Sequence, residues 1–281
     1  MERIAVVTGA SRGAGKGIAL ALGETGATVY VTGRTRAEGD APLPGTVFAT
    51  AREIDKRGGT GIPVVCDHSD DTQVEALFAQ VKREQGTLDI LVNNAFTIPE
   101  ELTAKGPFWE KPLSLQTMFD VGMRSVYVAS YYAAPLLVQN NSGLVVNTSS
   151  FGGTCYMHGP AYGAGKAAVD KMAHDMAVDF RPYNVAVISL WMGLLKTERT
   201  KAIFEGPRTR YRALSAEYPE FSGRVIDALA RHPDPMRWTG QVVVGAELGA
   251  ELGVTDIDGE QPRSHREKLG DPPRFSDAVV A

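Results

Sequence analysis

Short apolar runs alternate with longer stretches of helical spacing along this chain, and that alternation predicts an α/β fold. Residues 4–8, 28–32, 62–66, 88–92, 144–147, 185–190 and 241–244 are brief and rich in Val, Ile and Leu, and read as buried strands. Residues 46–56, 72–84, 116–137 and 160–180 carry apolar side chains at helical spacing, as does the run from Ile18 to Leu22. Gly58 and Gly59 stop one of these helices. The longest apolar run, residues 125–138, contains Pro135 and three tyrosines. It is too short to span a bilayer and reads as a buried helix.

Three stretches break the rhythm. Residues 96–115 are longer than an ordinary connection, hold Phe108 and Trp109, and read as a substrate-side lid. Residues 196–235 mix charges, aromatics and helical spacing, and are expected to be mobile over the pocket. Residues 260–281 are charged and proline-bearing, and read as a poorly ordered tail or a subunit-contact arm. The expected organisation is one domain over residues 1–259, with substrate loops at 96–115 and 194–235, and a polar tail at 260–281.

Composition narrows the function. Hydrophobic residues make up 43% of the 281 and charged residues 22%, enough for a large core. A net charge of −4 predicts no nucleic-acid surface. Cys66 and Cys155 make no disulfide framework, and the scattered histidines have no metal-ligand spacing, so no metal is expected. The chain enters its first strand at once, which leaves no room for a secretory signal. No membrane association is expected, and the expected location is cytoplasmic.

The chemistry starts after the first strand. Gly9, Gly13 and Gly15 lie between a strand and a helix, as a dinucleotide-binding turn requires. Gly9 permits the turn, Gly13 lets amides reach a pyrophosphate, and Gly15 lets the helix pack close. The helix N-terminus adds partial positive charge. Arg34 follows the second strand, where an acidic residue would bind a ribose 2′-hydroxyl; arginine suits a 2′-phosphate instead. Arg12 is placed to reach the same phosphate. Asp67, after the third strand, is placed to meet an adenine edge. Tyr162 and Lys166 are four residues apart, on one helix face. A fixed positive charge near a phenol favours phenolate and lowers its pKa from about 10.

These motifs, in this order, resemble the short-chain dehydrogenase/reductase family. The segment from Thr8 to Gly15, including Ser11, Arg12 and Ala14, looks like its cofactor loop. Asn93-Asn94-Ala95 looks like its motif after the fourth strand, and Tyr162-x-x-x-Lys166 like its catalytic pair. The similarity spans residues 3–244. It is narrower still with one branch, whose shared text includes residues 119–125, 160–168, 189–191 and 255–259. The resemblance implies a single Rossmann domain whose doubly wound, seven-stranded parallel sheet has the order 3-2-1-4-5-6-7. It implies hydride transfer between NADP(H), with NAD(H) as the second option, and a small-molecule carbonyl or secondary alcohol. Tyr162 would protonate the developing alkoxide. Lys166 would hold ribose hydroxyls and lower the Tyr162 pKa. Gly193 and Thr197 would hold the carboxamide, and Asn93 and Ala95 would line the ribose side. A homodimer or homotetramer, paired through the two long helices, is the implied assembly.

Two points stay open at this level. The end of the fifth strand points to Ser150 as the substrate-facing serine, whereas the common spacing before the tyrosine points to Ser149. Where most of the family has an asparagine that organises a water relay to the lysine, this chain has Gly122. Ala14 and Met192 are further departures, from isoleucine and proline. Gly159 stands where enoyl reduction would need a tyrosine. Phe96, Phe108, Trp109, Tyr156, Met157 and Trp191 suggest an apolar, bulky substrate, with Trp109 and Tyr156 as contacts. The rival reading is a non-catalytic NADP-binding scaffold or redox sensor.

Overall fold

A computed structural model describes residues 3–200 and 216–280. Seven parallel strands form one sheet: β1 (Ile4–Val7), β2 (Thr28–Gly33), β3 (Thr60–Val65), β4 (Ile90–Asn93), β5 (Gly143–Ser149), β6 (Val185–Trp191) and, last in the sequence, β9 (Val242–Val244). A separate two-stranded ribbon pairs β7 (Leu194–Leu195) with β8 (Ala216–Glu217). The sheet order is β3-β2-β1-β4-β5-β6-β9, the order expected from the sequence. The strand order reverses between the parallel neighbours β1 and β4, which opens a crevice beyond the carboxyl ends of those strands.

Continuous apolar strands need two covered faces, and their period of two decides which residue meets which face. Val7, Val29, Val92, Val146 and Ile188 point to one side, with α1 (Gly13–Glu24), α2 (Val47–Lys56) and α6 (Pro219–Arg231). Val6, Tyr30, Leu91, Val145 and Val187 point to the other, with α3 (Asp71–Gln85), α4 (Ser125–Asn140) and α5 (Pro160–Phe180). Local signals set the helix ends. The Thr46 hydroxyl accepts from the Ala49 N–H at 2.9 Å, and Asp70 caps α3 through the Thr72 and Gln73 amides. Pro160 opens α5 at a position where a missing N–H costs nothing.

Three expectations need correction. The helix predicted over 116–137 is broken. Helical turns at Leu113–Gln116 and Thr117–Phe119 lead into Asp120–Arg124, where Val121 and Gly122 leave helical geometry, and α4 starts only at Ser125. Gly122 has φ +142°, a conformation that side chains with a Cβ rarely adopt. Its apolar neighbours keep helical spacing through the break, so periodicity did not reveal it. Next, residues 196–235 do not behave as one mobile cover. Residues 201–215 lie outside the described residues, and α6 buries Phe221, Val225, Ile226 and Leu229 in the core against α1. Finally, the tail is docked on its own chain. Arg266 pairs with Glu247 and Leu269 packs beside Trp191. Phe275 lies 5.2 Å from His174, whose ring meets the Ser276 carbonyl at 3.0 Å.

Candidate active site

The glycine loop joins β1 to α1 at the crevice. Gly9 has φ +66°, and a Cβ there would lie 2.8 Å from Ala95 Cα, so the loop and the end of β4 touch through backbone. A Cβ at Gly15 would meet the Gly9 carbonyl at 2.4 Å. Asn94 ties the two together: its amide donates to the Thr8 and Gly9 carbonyls at 2.9 and 3.1 Å. The Thr8 hydroxyl in turn accepts from the Asn94 and Ala95 amides. Ser11 is buried inside the loop. The Gly13 N–H donates to the Glu198 carboxylate at 3.0 Å, so an anionic group already satisfies an amide at the N-terminus of α1.

The two arginines differ. Arg34 is exposed, with one guanidinium nitrogen 3.8 Å from Asp67. Arg12 spends its donors on the Pro44 and Gly45 carbonyls and the Thr35 hydroxyl, and burial lowers its pKa. It braces the loop as well as lying near Arg34. Burial works to raise the Asp67 carboxyl, but hydrogen bonds from Ser69 and the charge of Arg34 leave it below the usual range. The polar set suits a nucleotide: amides at a helix N-terminus and an exposed guanidinium to donate, and the Asp67 carboxylate to accept, at successive strand ends.

On the other side of the crevice, the Ser150 and Tyr162 hydroxyls are 2.8 Å apart. Ser149 is buried, and its hydroxyl donates to the Lys166 carbonyl, so it does not face the cleft as a substrate contact. Strand alternation explains the difference, because Val145, Asn147 and Ser149 share the face toward α4 and α5. The same rule turns Asn93 inward. Its amide donates to Asn147 at 2.9 Å and Ser130 at 3.0 Å, so its side chain does not line a ribose site. Ala95 stays at the loop.

Lys166 is buried, with Nζ donating to the Thr148 carbonyl at 3.1 Å and lying 4.6 Å from the centre of the Phe96 ring. Burial lowers its pKa to about 8, against the raising influence of Asp170. Asp170 accepts from the Ser189 hydroxyl and the Trp191 indole N–H. Burial nevertheless pushes that carboxyl upward. Tyr162 differs in sign from the sequence-based expectation. Burial raises its pKa, and the Ser150 hydrogen bond works against that rise. The Lys166 ammonium is 6.0 Å from the Tyr162 ring and engaged elsewhere, so it does not offset burial.

Aromatic rings of Phe96 and His158 meet Tyr162 edge-on, at 5.8 and 5.1 Å. Trp109 is 72% and Tyr156 81% exposed, and Trp191 is buried in the core; these three do not form a closed apolar pocket. Trp109 stacks edge-on with Phe108. Gly193 donates its N–H to Glu217 at 3.1 Å, and the Thr197 N–H donates to the Thr200 hydroxyl at 2.7 Å. Spacing alone did not reveal Thr148 or Glu217 as site neighbours, nor that Phe96 borders Lys166, though the period-two rule separates Asn94 from Asn93. Among the described residues no group of His, Cys, Asp and Glu is arranged to hold a metal, and no helix is long and apolar enough to cross a membrane.

A glycine loop at the sheet's crevice, facing a Ser-Tyr-Lys cluster across it, is the layout of one class of nicotinamide-dependent oxidoreductase. A model of the short chain dehydrogenase family matches residues 3–208, and the chain belongs to that family. It is 42% identical over 276 residues to dehydrogenase/reductase SDR family member 1 of Mus musculus, covering 94% of this chain and 86% of that protein. The Homo sapiens protein of the same name is 41% identical over 270 residues, covering 92% and 84%. This is the branch that the sequence resembles. A solved short chain dehydrogenase from Mycobacterium thermoresistibile superposes with a TM-score of 0.77 at 25% identity, covering 91% of this chain and 89% of that one.

Proposed function

We propose that this protein transfers a hydride between NADP(H) and a carbonyl or secondary alcohol, with an apolar ketone as the oxidised partner. The observation that carries the reading is the 2.8 Å contact between the Ser150 and Tyr162 hydroxyls, with Lys166 one turn along the same helix face. The nicotinamide cofactor supplies the hydride chemistry when bound. Ser150 hydrogen-bonds the substrate oxygen and holds it against Tyr162. Tyr162 gives its proton to that oxygen as charge develops. Lys166 holds ribose hydroxyls, and once turned toward Tyr162 its charge favours the phenolate left behind. Gly9, Gly13, Gly15 and Asn94 shape the amide cradle for the diphosphate, joined by Ser11 and Ala14 of the same loop. Asp67 meets the adenine, and Gly193 and Thr197 meet the carboxamide.

Exposed Arg34 favours NADP(H) over NAD(H), with Arg12 as the second cation. A charge-assisted contact to a 2′-phosphate is worth about 1.5–3 kcal/mol, enough for tenfold preference or more. Copies of the chain pair through α4 and α5, with Tyr127 and Tyr131 exposed on α4. Cytoplasmic location belongs to the same reading.

The test is NADPH consumption across a panel of aromatic and alicyclic ketones, with NADPH binding measured in parallel. The reading requires binding, with turnover of at least one ketone. Tight binding with no turnover across the panel would support the non-catalytic scaffold instead.

A further inference from the structure

We infer that Phe96 is the positioning residue of Lys166: its ring sets the place from which the ammonium reaches the ribose and Tyr162 and favours its charged state, in a chain where Gly122 stands in place of the asparagine that organises a water relay. The inference rests on the proposed role of Tyr162 and Lys166.

Three groups border the ring. Gly122 closes the Cδ2–Cε2 edge of Phe96, where a Cβ would lie 2.3 Å from Cδ2. Lys166 Nζ lies 4.6 Å from the ring centre, and Tyr162 meets the ring edge-on at 5.8 Å. The kink is fixed at both ends. Thr97 donates its N–H to the Val121 carbonyl at 2.9 Å, and Gly122 donates its own to the Ser125 hydroxyl at 3.0 Å. Asparagine at 122 would therefore need both an unfavourable φ and the space that the ring fills.

An aromatic face attracts a cation, most strongly where water is excluded. Burial alone disfavours the ammonium. The groups facing Lys166 are few. From its own helix come Asp170, one turn on, and the titratable Tyr162, one turn back. From β5 and the segment after β4 come the uncharged Thr148 carbonyl and Phe96 itself. The ring is thus a neutral group that offsets part of the burial without adding a second carboxylate near the phenol.

The experiment follows Lys166 itself. Lysine labelled with ¹³C at Cε is incorporated, and its signal is assigned by loss in Lys166→Met. Parent, Phe96→Leu, Phe96→Tyr and a chain with pentafluorophenylalanine at 96 are then titrated. The fluorinated ring keeps the shape and reverses the electrostatics, so it serves if Phe96→Leu fails to fold. The Lys166 midpoint should fall by about half a pH unit or more in Phe96→Leu and in the fluorinated chain, and hold in Phe96→Tyr. With NADPH and 9,10-phenanthrenequinone, kcat at pH 7 should fall about threefold in the same two proteins and hold in Phe96→Tyr. Midpoints that agree across all four proteins would overturn the assignment. Turnover that survives Tyr162→Phe would overturn the catalytic reading alone, while the lysine titration still decides the role of Phe96.

Discussion

At the scale of single residues, the two ends of the crevice differ in how freely their charges can act. Arg34 keeps most of its surface in water and has a weak partner in Asp67 at 3.8 Å. It is the cation with donors to spare, whereas Arg12 is tied to loop carbonyls. Arg34→Asp should therefore lower NADPH affinity about tenfold or more and raise the relative use of NADH. Calorimetric titration with both cofactors checks this; an unchanged ratio of the two affinities would contradict it. The position of Arg34 just after β2 was legible because the end of the second strand is a fixed place in this fold. The inward turn of Asn93 and Ser149 was available too, from strand parity, but the motif triplets concealed it by naming neighbours together. The raised Tyr162 pKa was not legible, because burial is set by residues distant in sequence.

At the scale of elements, the break before α4 is the feature that the hydrophobic pattern missed. Helical spacing runs through residues 116–137, yet backbone geometry at Val121 and Gly122 interrupts it. The cause is the neighbouring segment after β4, whose Phe96 ring occupies the place of a Cβ at 122. A periodicity reports which face is apolar and is blind to a ring arriving from another element. Gly122→Ala should destabilise the fold by about 2–3 kcal/mol, from the positive φ together with the overlap. Urea unfolding measures it, and a loss below about 0.5 kcal/mol would show that the kink relaxes freely. The other helices were legible because their caps, Thr46, Asp70 and Pro160, lie in the sequence beside the runs they start.

For the whole molecule, layer assignment and sheet order follow from the strand runs and the family resemblance, and the structure has both. What the chain conceals is its long-range closure. The tail folds back onto Glu247 and His174, and β8 brings Glu217 under Gly193. A polar composition reads as disorder when its partners are far away in sequence. Glu217 links this closure to pH. Burial pushes its carboxyl up to about 7; Asp256 adds to the rise and the Gly193 N–H opposes it. The folded state therefore holds a proton that the unfolded chain releases at lower pH. Stability from this group falls as pH rises between the ordinary glutamate value near 4.3 and about 7, and the cost persists above. Glu217→Gln keeps an acceptor for Gly193 and removes the titration. Its advantage over the parent should grow through that window to on the order of 2–3 kcal/mol, and be absent near pH 4. Melting curves at a series of pH values check the sign; a constant difference would contradict it.

The central claim is that the Tyr162 hydroxyl is the proton donor on a scaffold that holds the cofactor without it. Its most direct measurement compares parent and Tyr162→Phe with one ketone that the parent reduces, recording NADPH affinity and turnover in the same samples. NADPH affinity should be unchanged and kcat should fall about 10²–10⁴-fold. Equal turnover in the two proteins would contradict it.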